Sequence, residues 1–268
     1  MTGASLSERF KRFASTECKG SSRLYEFLSM KISGASDLLE LSSYCRPGQP
    51  VPNLFFAAVH YLLLSGVDHE LREFYPDLVD EPRPVEESFH VFHDFCQRYR
   101  DDVIRLLQTR LVQTNEIRRC TYLYPSFCHI YNKTEKPLSL IEIGTSAGLQ
   151  LLWDQFQYSY ETGESYGNLN SPVHLTARLR NGVMPPLSRK SPPVVFRAGI
   201  DLHVIDLSNK DDYLWLKALI WPDHRERLQW FEQAAQMIKS HPVNLIEGDG
   251  VILLVRVSSG GVKFVVPN

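Results

Sequence analysis

Residues 138–156 read LSLIEIGTSAGLQLLWDQF, and how this stretch is parsed decides the fold. Leu138 to Ile143 is a short, apolar, partly β-branched run of the kind that forms a central parallel strand. Gly144 and Gly148 then bracket a tight turn, and Leu149, Leu152, Trp153 and Phe156 recur at helical spacing. A strand that passes through a glycine turn into a helix leaves backbone amides facing outward at the helix N-terminus, where the negative end of a ligand is favoured. The two glycines mark places where a side chain would obstruct a ligand or the close approach of helix to strand. Glu142 sets a carboxylate two residues ahead of the turn.

The segment IEIGTSAG resembles motif I of the class I S-adenosylmethionine-dependent methyltransferases, in which two apolar residues, an acid and an apolar residue precede GxGxG. Glu142, Gly144 and Gly148 match that pattern, and Ser146 stands where a middle glycine is commonest. The resemblance implies an α/β fold with a Rossmann-like, methyltransferase-type parallel sheet. It also implies S-adenosylmethionine as cofactor, its methionine end cradled by Gly144, Thr145, Ser146, Ala147 and Gly148 and its amino group oriented by Glu142. The same residues spell GxSxG, the nucleophile elbow of the α/β hydrolases, with Ser146 as nucleophile. For that reading the acid and base would follow the nucleophile, and Asp201, Asp206 or Asp249 with His203, His224 or His241 are available by count. Spacing alone does not separate the two. The upstream sequence favours the first, because a hydrolase elbow normally follows several strands, and no strand-like run or HGGG-like stretch precedes Pro137. A third reading is a binding or scaffold protein that keeps the pocket without chemistry, since short glycine motifs recur widely.

Ahead of the motif, residues 1–133 read as a helical N-terminal domain. Leu6, Phe10 and Phe13 form one apolar stripe, and Leu24, Phe27 and Leu28 form another. Pro52 suits the first turn of a helix that runs to Leu64 and is apolar nearly all round, so it belongs at the centre of this half. His60 on that helix has two readings, an acceptor-side base in a substrate site or a satisfied core histidine. Asp68 to Tyr75 reads as a short helix, and Glu86 to Val112 as the longest helical candidate.

Gln113, Thr114, Asn115 and Glu116 interrupt the helical material with four polar residues. They fit a solvated helix start capped by Thr114 or Asn115. They also resemble part of an uncharacterised bacterial family, a domain of unknown function in which QTNE, EIG(A/T)SAGL followed by LWD, and a later ALxWP segment recur in that order. Here these are Gln113 to Glu116, Glu142 to Leu149, Leu152 to Asp154, and Ala218 to Pro222. This resemblance implies that Asn115 and Glu116 lie near the glycine turn, and makes them candidate substrate-binding residues there.

Residues 134–268 read as the α/β domain, truncated after its third strand. Tyr160 to Pro193 is rich in Gly, Ser, Asn and Pro and reads as an insertion with one hairpin arm, Val173 to Leu179. The acid that holds ribose hydroxyls comes about 20 residues after the glycines in dinucleotide-type folds. Glu161 and Glu164 fall too early, whereas Asp201 ends the strand VVFRAGID once the insertion is looped out. Helices Asp211 to Ile220 and Arg225 to Ser240 lead to the strand VNLIEGD, a crossover of the kind parallel strands require. By the methyltransferase resemblance Asp249 at its end meets the adenine amino group; by turn chemistry it opens a hairpin. VILLVRV, SSGG and VKFVV read as that terminal hairpin.

Composition sets the outer bounds. A chain of 268 residues with 43% hydrophobic content can bury a sizeable core, and a net charge of −2 supplies no basic field for phosphate backbones. A small-molecule partner is expected rather than nucleic acid. Five scattered cysteines with no CxxC pair point to reduced, mostly buried thiols and to no metal site. The start of the chain has no apolar signal core, and the run Leu54 to Leu64 is too short to span a bilayer, so a cytoplasmic protein with no membrane partner is expected. Oligomeric state is not legible in the sequence.

Overall fold

The computed structural model describes residues 5–113 and 115–253. It has an α/β fold with a helix-rich N-terminal region and a small parallel sheet, broadly of Rossmann-like arrangement. The chain divides into two compact units, Met1–Thr114 with Lys210–Leu228, and Asn115–Asn209 with Gln229–Asn268.

In chain order the first unit contains α1 (Leu6–Arg12), α2 (Arg23–Ile32), α3 (Ser36–Ser42), α4 (Val51–Leu64), α5 (Ser88–Arg98) and α6 (Arg100–Thr109). Ser5 caps α1 through a capping box with Glu8. α4 carries Pro52 in its first turn and buries twelve of its fourteen residues, which makes it the centre of the unit. The long helix expected over Glu86 to Val112 is two helices, because Tyr99 leaves the helical region at φ −109° and ψ 26°. The short helix expected over Asp68 to Tyr75 is a 3-10 turn, Glu70–Phe74.

The second unit begins with α7 (Cys120–Thr134), which packs against the residues after the glycine turn. No strand precedes Leu138 among the described residues. The strands are β1 (Leu138–Ile143), β2 (Gln157–Ser159), β3 (Ser165–Gly167), β4 (His174–Thr176) and β5 (Val194–Asp201). The chain then supplies α8 (Lys210–Ala218) to the first unit and continues through α9 (Arg225–Ser240) to β6 (Asn244–Glu247). β1, β5 and β6 form one parallel sheet in the order β1-β5-β6, with Ile143 beside Ile200 and Asp201 beside Glu247. β2 pairs antiparallel with β3 and parallel with β4 in a second small sheet, where one hairpin arm was expected.

Three expectations need correction. β1 is an edge strand of the described sheet, with β5 in the middle, so Ile141 and Ile143 stand 43% and 56% exposed instead of buried on both faces. The segment after Gly148 is a 3-10 helix, Leu149–Gln155, and not an α-helix. Only seven residues separate the glycine from the turn into β2, and Leu149, Leu151, Leu152 and Trp153 are all buried, which is not the one-sided burial of an amphipathic helix. At the C-terminal end Gly250–Leu253 is helical where a strand was expected, and the rest of the expected hairpin, 254–268, lies outside the described residues.

The core of the first unit is aromatic. Tyr25 stacks on Phe56 at 4.2 Å, and Trp221 meets Phe13 edge-on at 5.5 Å. The indole N–H of Trp215 donates to the carbonyl of Leu111 at 2.8 Å. ALIWP therefore serves packing in this unit, with Ala218 buried in the core. No described helix is long and apolar enough to cross a membrane.

Candidate functional site

The candidate site is the carboxyl end of the parallel sheet in the second unit, where Glu142, Asp201 and Glu247 end or nearly end three neighbouring strands. The turn after β1 uses the left-handed region three times, at Gly144 (φ 77°), Ser146 (φ 52°) and Gly148 (φ 74°). A Cβ on Gly148 would lie 2.8 Å from Leu245 Cδ2 and 3.0 Å from Val243 Cγ2, whereas a Cβ on Gly144 would meet no atom of the described residues within 4 Å. Gly148 is thus required by packing, and Gly144 is not.

Three of the five amides expected to face a ligand, those of Gly144, Thr145 and Ser146, are engaged by β5 instead. Gly144 and Thr145 donate to the carbonyl of Ile200 at 2.8 and 3.3 Å. Ser146 donates its backbone N–H to Asp201 Oδ2 at 2.7 Å. The physical reason is the register: Ile143 lies beside Ile200, so the chain leaving β1 passes directly over the end of β5. Thr145 is fully buried, and Gly199 has no side chain because a Cβ there would sit 2.5 Å from the Thr145 methyl and hydroxyl. Ser146 and Ala147 are buried as well.

Asp201 is the hub. Besides the Ser146 amide, its other oxygen accepts from the backbone N–H of His203 at 3.1 Å. Its carbonyl accepts from Gly248 N–H at 2.8 Å, and the N–H of Ile205 donates to the Ser146 carbonyl at 3.2 Å. Glu247, which the sequence reading did not single out, accepts from Val204 N–H at 3.3 Å. The acid-bearing ends of β5 and β6 and the glycine turn are therefore tied together by backbone donors.

Glu142 accepts from the Thr145 hydroxyl at 2.6 Å. Burial raises its carboxyl above the ordinary range, and the nearby Asp201 carboxylate adds to this; the Thr145 hydroxyl and the Arg119 guanidinium pull the other way. The folded protein holds this proton to higher pH than the unfolded chain does. Stability is then lost as pH rises from the ordinary carboxylate value to the raised one. Glu142→Gln keeps an acceptor for Thr145 and has no charge to lose. The melting temperature of the variant minus that of the wild type should grow across that window and level off above it. A difference that is flat with pH contradicts the assignment.

Asn115 is brought to the turn, as the family resemblance implies. Its Nδ2 donates to the carbonyl of Thr145 at 2.6 Å, and its Oδ1 is buried with no hydrogen-bond partner among the described residues. Glu116 takes a capping role, its side chain accepting from Arg118 N–H at 3.0 Å. Asp249 Oδ1 accepts from the Val251 and Ile252 amides at 2.8 and 3.2 Å and opens the helical residues 250–253. It does so two residues beyond the end of β6, so it is not the strand-end acid that was expected.

His60 belongs to the first unit and is fully buried, with Nδ1 3.1 Å from the Ala218 carbonyl and Nε2 2.9 Å from Asp77 Oδ2. The core reading of His60 describes this setting, and the acceptor-side base does not. Asp206 accepts from the Ser208 amide and hydroxyl, which hold its carboxyl below the ordinary range. His241 Nδ1 lies 3.2 Å from the carbonyl of Met237, in the helix that ends one residue before it.

Two further residues shape the site and were missed. Arg197 on β5 makes a two-pronged pair with Asp154, at 2.8 and 3.1 Å, and also donates to the carbonyl of Leu151 at 2.9 Å. This clamp holds the 3-10 segment onto the sheet. The available signal was the recurring LWD, whose aspartate needs a cation once it is buried. All five cysteines are free thiols, and all but Cys45 are buried. Among the described residues no group of three or more His, Cys, Asp or Glu is placed to hold a metal ion.

No curated protein and no solved structure matches the chain. A family model described as an uncharacterized protein conserved in bacteria (DUF2332) matches residues 7–265, and the chain therefore belongs to that family.

Proposed function

We propose that the second unit binds a nucleoside cofactor, S-adenosylmethionine, at the carboxyl ends of β1, β5 and β6, and transfers its methyl group to a small-molecule acceptor. The observation that carries the reading is the strand order, β1-β5-β6 in parallel, with a left-handed glycine turn after the first strand and an acid near the end of each. In open α/β sheets ligands bind outside the carboxyl ends of the strands. The amide cradle does not support the reading, because the amides of Gly144, Thr145 and Ser146 are tied to β5.

Two local features fit the cofactor. Among the described residues, nothing lies within 4 Å of where a Gly144 Cβ would sit, and the buried Asn115 Oδ1 is an acceptor without a donor at the same turn. Bound there, S-adenosylmethionine supplies an activated methyl group, so the protein's task is positioning. Glu142 would meet the amino group, and Asp201 would exchange the Ser146 amide for ribose hydroxyls. Isothermal titration should give a saturable one-to-one heat with S-adenosylmethionine that is weakened at least tenfold by Asp201→Asn. A flat titration at millimolar ligand sinks the reading.

A second reading is a serine hydrolase, favoured by the positive φ of 52° at Ser146, since a nucleophile elbow strains its serine in this way. Against it stands the burial of Ser146, which is only 3% exposed. A fluorophosphonate probe that labels the wild type and not Ser146→Ala would replace the methyltransferase reading with this one.

A further inference from the structure

The second small sheet borders an open cleft of about 1170 Å³, lined by Arg118 in the 3-10 turn just ahead of α7 and by residues of β2, β3, β4 and the loop to Arg180. Its charges are unevenly matched. Arg178 pairs with Glu161 at 2.9 Å, and Glu164 accepts from the Tyr166 hydroxyl at 3.0 Å with Arg189 at 3.9 Å. Both acids of the cleft thus have partners. Arg118 and Arg180 have no ion pair or side-chain hydrogen bond among the described residues. The Ser159 hydroxyl and His174 Nε2 sit 2.9 Å apart on neighbouring strands and add neutral hydrogen-bonding groups to the same lining.

Two uncompensated guanidiniums in a concave, hydroxyl-bearing cleft are the chemistry of anion recognition, because a phosphate accepts charge-assisted, two-pronged hydrogen bonds from arginine. The volume exceeds what a bare phosphate ion fills, and sites of this size take small organic ligands. The paired glutamates in the lining and the overall charge of −2 disfavour a polyanion laid across the surface. We propose that this cleft is a second binding site, separate from the sheet's carboxyl edge, that takes a phosphorylated polyhydroxylated small molecule, with Arg118 and Arg180 on the phosphate and the Ser159–His174 pair on hydroxyls.

The test is isothermal titration of the full chain with ribose 5-phosphate as probe, at an ionic strength fixed with chloride. The proposal expects saturable one-to-one binding that is weakened at least tenfold in Arg118→Gln/Arg180→Gln and unchanged in Asp201→Asn. Both arginines are exposed, so the double variant should melt like the wild type. No saturable heat at millimolar probe, or equal affinity in the double variant, overturns the proposal. Loss of probe binding in Asp201→Asn alone would assign the ligand to the sheet edge and overturn it too. Failure of S-adenosylmethionine to bind would leave these outcomes unaffected.

Discussion

Gly148→Ala is expected to destabilise the protein by about 2 to 5 kcal/mol, the sum of a left-handed backbone carrying a Cβ and an overpacked contact. The backbone part follows from φ 74°, and the packing part from Leu245 and Val243, which a Cβ would approach to 2.8 and 3.0 Å. Gly144→Ala is the internal control. It has nearly the same backbone, φ 77°, but a Cβ there meets nothing within 4 Å among the described residues. Its loss should be confined to about 1 to 2 kcal/mol. Urea unfolding of both variants measures the difference directly. Equal losses would mean that Gly148 is not pressed against the chain leading into β6, and that the turn sits differently on the sheet.

Removing the Arg197 side chain should cost about 3 to 5 kcal/mol, because it leaves the Asp154 carboxylate buried with its main partner gone. The Asp154 side chain is 8% exposed, and once Arg197 is removed the hydrogen bond from Gln155 Nε2 at 2.6 Å is what its oxygens keep among the described residues. The guanidinium also satisfies the Leu151 carbonyl, so the loss spreads to the backbone of the 3-10 segment. Arg197→Met and Asp154→Leu should each be strongly destabilising. The double variant should be less destabilised than either, since an apolar pair of similar volume replaces the ion pair without stranding a charge. Losses that simply add would show that the two residues act independently.

Much of the fold is legible in the sequence because it rests on local pattern. The run Leu138 to Ile143 forms β1 with those bounds, and Val194 to Asp201 forms a strand ending in the anticipated acid. α9 begins and ends where its helical spacing does. Asn115 at the turn was legible only through the recurrence of QTNE with EIGTSAGL, as nothing in its own neighbourhood points there. What was not legible depends on partners distant in sequence. Periodicity shows that a glycine turn follows β1, but not that the Ile200 carbonyl and Asp201, more than fifty residues on, take up its amides. Burial of Asp154 depends likewise on a cation supplied by β5. The shift from α-helix to 3-10 after Gly148 follows from the nearness of β2, whose short strand gave no pattern long enough to read.

The turn's closure sharpens the functional proposal. Asp201 holds the Ser146 amide and the His203 amide at once, so a ribose bound at the end of β5 must displace at least one of them. A crystal grown with S-adenosylmethionine tests this most directly. The account predicts the ligand at the carboxyl ends of β1 and β5, against Gly144, with a ribose hydroxyl on Asp201 and the Ser146 amide released from it. Ligand bound elsewhere on the protein, or a complex in which Asp201 and Ser146 keep their bond and touch nothing, would contradict it.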